Sequence, residues 1–266
     1  MELFTPRGKI PPKTKVLIEV GGAILVLLIW WAYVHFSAVK QAILPSPIKV
    51  ITCIPEMITR YHLIGNTMHS ILLNILGYLE AIVISVVLGY LIGLFPFFRA
   101  LSERYLAIIR FLPLTAVLGI MTAWLGIGLN MVMQFLALGI FVYLLPVVVQ
   151  RIDEVKEVYV DTLTTLGASQ WQKIKYAYIP DVRYRLSDDI RILVAISWTY
   201  IVIAEMINSS AGGIGSLVFV VQRQQRTDMV YAIILIILLI GFFQDKLLVA
   251  IDKIFFPYKY LSGGAR

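Results

Sequence analysis

Side chains able to do chemistry are sparse in this sequence, and their positions limit what they can do. Two carboxylates, Glu80 and Glu205, fall within or at the end of long apolar runs. A carboxylate in hydrocarbon is costly and usually faces a bundle interior, a partner or water. Each therefore reads either as a group lining or gating a pathway, or as half of a contact that fixes helix packing. The three histidines, His35, His62 and His69, show neither HExxH spacing nor a cysteine nearby, which leaves them ordinary surface or interfacial roles. Cys53 is the only cysteine, so no internal disulfide or multi-cysteine metal site can form. The sequence lacks GxxxxGK[S/T], the loop that cradles nucleotide phosphates beside a lysine. Gly213-Ile-Gly215 is too short to replace it. A membrane enzyme would need catalytic side chains gathered at one depth, and the sequence supplies no such cluster.

The most polar long interval runs from Glu157 to Pro180. Tyr159, Leu163 and Leu166 share one helical face, and Gly167 then interrupts the pattern. Ser169 and Gln172 have capping-box spacing, in which hydroxyl and amide satisfy backbone N–H groups at a new helix start. Trp171, Ile174 and Tyr178 line the second segment, and Pro180 is expected to end it. The pattern predicts two short amphipathic helices joined at a sharp bend. Their apolar faces call for a groove in another protein, the membrane surface, or the ends of the flanking helices.

The elements that would hold these residues are membrane spans. The chain has 266 residues, 59% of them apolar and 15% charged, with a mean hydropathy of +0.85. Soluble domains carry about 25% charged residues. A crossing helix needs roughly 20 apolar residues. Six spans meet that requirement, near 16–36, 70–95, 104–124, 130–149, 190–207 and 229–248. The basic N-terminus leads into an uncleaved first helix, not a signal peptide. With both termini inside, 18 of the 23 Lys and Arg residues lie on the cytoplasmic side. That asymmetry explains the net charge of +7 without nucleic acid. Residues 208–228 read as a glycine-containing outer loop, either a gate, a docking surface or a simple connector. Pro113 and Pro146 sit in or beside spans, where freed carbonyls can bend a helix or bind a polar group. Gly89 and Gly93 form a GxxxG pair that favours packing within the chain over a dimer seam.

The polar interval resembles the EAA loop of binding-protein-dependent ABC importer permeases. Asp161 stands at the Glu position, Thr162 and Leu163 replace the two alanines, and Gly167 and Pro180 keep both required spacings. Arg110-Phe-Leu-Pro113, Trp124-Leu-Gly-Ile-Gly128, Ser197-Trp through Glu205-Met and Gly213-Ile-Gly215 resemble ordered motifs of the nitrate/sulfonate/taurine subfamily. The resemblance covers about residues 65–256 and implies an all-α type I permease in the bacterial inner membrane, one domain over residues 1–266 with a peripheral first helix. It implies a permease dimer, taken as a homodimer, with two cytosolic ATPases and an extracytoplasmic binding protein. ATP and Mg would be bound by the ATPases and no cofactor by this chain. Nitrate, taurine or an alkanesulfonate would be carried. Residues Thr165, Leu166, Gly167, Ala168, Ser169, Gln170 and Trp171 would enter the ATPase groove, with Trp171 as anchor; a lipid-interface position is the competing role for that ring. Arg110 would lie near the inner end. A stand-alone secondary transporter, the alternative, should show inverted repeats.

Overall fold

The computed structural model describes Gly8, residues 10–37 and residues 42–261. Arg7, Lys9, Lys40 and Arg266, which enter the charge count, lie outside the described residues. Among the described residues the regular structure is helical throughout. Five helices are long and apolar enough to cross a membrane, and one bent pair could supply a sixth span. The chain forms two compact units, residues 63–219 with 236–266, and residues 1–62 with 220–235.

The larger unit is built on α7 (Leu129–Asp153), whose buried residues fall on every face from Met131 to Ile152. A helix apolar all round belongs in a core. Against it lies α4 (Leu63–Leu94), which presents Gly77, Ala81, Ser85, Gly89 and Gly93 at four-residue intervals. Small side chains let two backbones come close and gain dispersion contacts where lipid offers no hydrophobic drive. The approach leaves no spare room: a Cβ at Gly89 would sit 2.4 Å from Val148 Cγ1, and one at Gly93 would sit 2.6 Å from Ile152 Cδ1. The GxxxG pair thus serves packing within the chain.

On another side of α7 lies α10 (Ile179–Ile207), where Tyr200 packs over Gly139 and edge-on to Phe135. Polar contacts set its register. The Tyr78 hydroxyl donates to the Ile190 carbonyl, and the Ser197 hydroxyl lies 3.0 Å from Asn74 Oδ1. The Trp198 indole donates to Gln244 of α12 (Thr227–Phe255) at 2.8 Å.

Two expectations require correction. The third span is not one helix: α5 (Pro96–Ile109) and α6 (Leu114–Leu125) meet at 111°. Pro113 lacks an N–H and disfavours helical geometry in the residue before it. The last turn of α5 accordingly tightens, with Phe111 N and Leu112 N bonded three residues back. The second correction concerns residues 208–228, where Ile214–Arg223 form helix α11. Ile214, Leu217, Val218 and Val221 are its buried stripe. That i, i+3, i+4, i+7 period is visible in the sequence but is hidden by flanking glycines.

The smaller unit contains α1 (Pro12–Phe36), α2 (Pro47–Thr52) and α3 (Ile54–Arg60), together with residues 220–235. Arg226 holds it together by reaching Glu56 at 2.9 Å and Asp228 at 3.0 Å. Its guanidinium keeps the Glu56 carboxyl below the usual carboxylate range. This contribution is present above the ordinary carboxylate pKa and is lost as pH falls through the lowered value. Cys53 is buried beside Met57, in keeping with a packing role.

The glycine stripe predicts opposite outcomes for two similar substitutions. Gly89→Ala should destabilise the purified protein by about 1–3 kcal/mol through overpacking. Gly119→Ala meets nothing within 4 Å and should be neutral or slightly stabilising. Thermal unfolding in one detergent checks the order, and equal melting temperatures would refute the packing assignment.

Candidate functional site

The polar interval folds into a short rigid elbow. Helix α8 (Glu157–Thr165) ends in a left-handed turn at Gly167, with φ of +75°. Ala168 N bonds to Leu163 O and Gly167 N to Thr164 O, both at 2.9 Å, so two orphan carbonyls are satisfied as the chain reverses. Helix α9 (Gln170–Lys173) then starts on a complete capping box between Ser169 and Gln172. Leu166 and Trp171 stand out at the elbow, 76% and 74% exposed. Asp161 is exposed on α8, and its carbonyl accepts from the Thr165 hydroxyl at 3.0 Å.

The second arm does not end at Pro180. A π-helical turn over Ile174–Tyr178 carries α9 directly into α10, and Pro180 lies in the first turn of that helix. The helix passes through Pro180 because the π turn carries the hydrogen bonding up to it, with Ile179 N bonded five residues back to Ile174 O. Expecting a break therefore mistook a helix-start proline for a terminator. Physically, α10 and the elbow's second arm are one continuous lever.

The second arm is tied to the end of α7 at its base. Arg151, in the last turn of α7, makes paired bonds to Asp189 of α10 at 2.7 and 2.8 Å. It also donates to Glu154 at 2.6 Å, and Arg185 joins Glu154 at 3.4 Å and Asp181 at 3.1 Å. The Arg151 and Gln150 hydrogen bonds hold the Glu154 carboxyl below its ordinary range. Planar paired guanidinium–carboxylate bonds fix orientation as well as distance. This lattice was missed in the sequence because its members lie dozens of residues apart. A further clasp comes from α13 (Pro257–Leu261), where Lys259 reaches Asp188 at 2.7 Å and Asp252 at 3.0 Å.

At the opposite end of α10, roughly 40 Å away by helical rise, lies Glu205. It is fully buried. The Ser70 hydroxyl lies 2.7 and 2.8 Å from its two oxygens, and Gly215 N donates at 2.8 Å. Ser70 in turn accepts from Ile214 N at 2.7 Å, while Asn66 Oδ1 accepts from Gly213 N at 3.0 Å. The glycines are required by space: a Cβ at Gly213, where φ is +98°, would sit 2.2 Å from a Glu205 oxygen. At Gly215 it would sit 2.3 Å from the Val202 carbonyl. Asn208 extends the cluster by donating to Gly128 O at 2.8 Å. Glu205, Gly213 and Gly215 therefore form one hydrogen-bonded lock, whose partners Ser70, Asn66 and Asn208 carried no motif signal.

The remaining candidates lie apart from it. Glu80 accepts from the Gln134 amide at 2.9 and 3.0 Å, facing a cavity of about 340 Å³ with Met121, Trp124 and Phe141. Arg110 is exposed at the end of α5 and Pro113 caps α6. Among the described residues no His, Cys, Asp or Glu group is arranged to hold a metal.

Comparison with known proteins agrees with this architecture. Residues 81–255 match the family model described as binding-protein-dependent transport system inner membrane component. The taurine transport system permease protein TauC of Escherichia coli is 24% identical over 253 residues, covering 93% of this chain and 92% of that one. A Bacillus subtilis protein named for aliphatic sulfonate transport is 25% identical over 236 residues, 86% of this chain and 83% of its own. An inward-facing structure of the MetNI methionine ABC transporter superposes with a TM-score of 0.61 at 17% identity, over 74% of this chain and 98% of the matched chain.

Removing the acceptor from the lock should cost more than neutralising it. Glu205→Ala leaves buried donors unsatisfied at about 1–3 kcal/mol each, whereas Glu205→Gln keeps an acceptor oxygen. Thermal unfolding should rank wild type above Gln and Gln above Ala. An Ala variant as stable as wild type would remove the lock from the fold's support.

Proposed function

Because the chain belongs to the family of binding-protein-dependent transport system inner membrane components, we propose that its elbow couples a partner ATPase to movement of α7 and α10. The chain is an ABC importer permease subunit in the inner membrane and not itself an enzyme. Partner ATPases and a substrate-binding protein complete such a system. The observation that carries the coupling reading is the elbow's construction. Two large apolar side chains, Leu166 and Trp171, project from a turn braced by the Ala168 N–Leu163 O and Gly167 N–Thr164 O bonds and the Ser169–Gln172 capping box. Exposed apolar anchors on a pre-formed backbone suit a protein groove, since little ordering entropy opposes binding.

Thr165 to Trp171 enter the ATPase groove, with Gly167 supplying the reversal. ATP and Mg are held by the ATPases and no cofactor by this chain. As the nucleotide-bound ATPases close, the elbow moves with them. The Arg151–Asp189 and Arg185–Glu154 contacts pass that movement to both flanking helices. A loose loop would absorb the displacement. With both termini cytoplasmic, the Glu205 lock lies near the outer face, where it holds α11 against α10 while the outer half opens. Two copies of this chain form the pathway as a homodimer, and loaded binding protein biases the pair toward the ATP-bound state.

The substrate class is a small oxygenated solute such as nitrate, taurine or an alkanesulfonate, and relatives named for taurine and aliphatic sulfonate transport support the last two. Glu205 is already satisfied by Ser70 and Gly215, and Glu80 by Gln134. These carboxylates act in packing and leave selectivity to the binding protein.

Substrate-stimulated ATPase activity of the reconstituted complex tests the coupling role. Gly167→Pro cannot adopt the observed positive φ and should abolish most stimulation; Trp171→Ala should reduce it, with membrane insertion intact in both. Full stimulation in both variants would remove the elbow from the coupling path.

A further inference from the structure

A groove of about 670 Å³ runs beside the elbow, between the end of α4 and the beginning of α10. Its walls include Val87, Leu91, Leu94 and Ile190, with Trp171 at one edge. No acidic residue lines it, and its single charged residue is Arg183. The Arg183 guanidinium carbon lies 5.4 Å from the Phe256 ring centroid. No carboxylate pairs with this arginine among the described residues. Most other arginines of this region do have such a partner: Arg99, Arg151, Arg185 and Arg191 each form an ion pair. Arg183 thus stands beside an apolar trough where the apolar run of α4 stops at Leu94.

We propose that this groove binds an anionic phospholipid, with an acyl chain along Val87, Leu91 and Ile190 and the phosphate at Arg183. Three independent features favour that occupant. The lining is almost purely apolar, as an acyl chain requires. Arg183 stands at the end of the apolar run, where basic side chains attract anionic headgroups. Tyr90 borders the same space, and amphipathic rings of this kind concentrate at the membrane–water boundary. An apolar protein helix would fill the trough but leave Arg183 without an anion. A soluble phosphate would satisfy Arg183 but leave the trough uncovered.

The site depends only on the membrane setting and stands apart from the coupling assignment. It nevertheless has a consequence for coupling, because Trp171 belongs to both the groove edge and the elbow. A bound lipid would restrict that ring before any ATPase approaches.

Native mass spectrometry of the full permease–ATPase complex tests the proposal, after exchange into phosphatidylcholine bilayers with or without phosphatidylglycerol. Wild type should retain phosphatidylglycerol in preference to phosphatidylcholine. Arg183→Glu should weaken that retention at least about fivefold, from the typical contribution of one basic side chain at an anionic surface. Arg183→Lys should largely preserve it, and Val87→Trp, which fills the trough, should lower retention of both lipids. Retention of phosphatidylglycerol unchanged in Arg183→Glu, or equal retention of the two lipids by wild type, overturns the proposal. A cross-link from Val87 to another polypeptide in place of bound lipid overturns it as well. Basal ATPase activity, read in parallel, shows whether the complex is assembled in each variant.

Discussion

The close approach of α4 to α7 is the constraint from which the larger unit follows. Within a bilayer, apolar side chains gain little by leaving lipid for one another, so association depends on contact quality. Gly77, Ala81, Ser85, Gly89 and Gly93 turn one face of α4 into a shallow channel, and Val148 and Ile152 of α7 occupy it. With that contact made, Tyr78 and Asn74 are brought to their partners on α10, and Ser70 is brought to Glu205. One small-residue stripe therefore positions both the central helix and the buried carboxylate.

The chain contains two polar constructions of different kinds. The elbow's polar groups bond mainly to their own neighbours in sequence, through the Gly167 turn and the Ser169–Gln172 box. The Glu205 lock bonds across long separations in sequence and joins α4, α10 and α11. Local bonding makes the elbow a pre-shaped body that can move as one piece. Non-local bonding makes the lock a fastening between pieces. The salt lattice around Arg151 lies between these extremes, fixing the elbow to the helices it is proposed to move.

What could be read from the sequence follows the same distinction. The spans were legible from apolar length, and the Gly167 reversal and capping box from residue types a few positions apart. The family followed from ordered motifs. Glu205 and the two loop glycines were singled out separately, yet nothing in their spacing revealed that they touch. Gly213 and Gly215 are forced by the carboxylate that lies against them, which only the folded backbone displays. Pro180 misled because a proline says where a helix can begin as readily as where it must end. The third span misled because apolar length counts residues without reporting the 111° turn between two shorter helices.

The Glu205 lock also bears on biogenesis. Ser70 precedes Glu205 by 135 residues, so α4 is synthesised well before the carboxylate it holds. A carboxylate left unpaired in hydrocarbon is costly. Here one acceptor-seeking hydroxyl is waiting, and the Gly215 N–H arrives only ten residues later. The spacing lets a costly group be met almost as soon as it is made, and ties insertion of α10 to the prior arrival of α4.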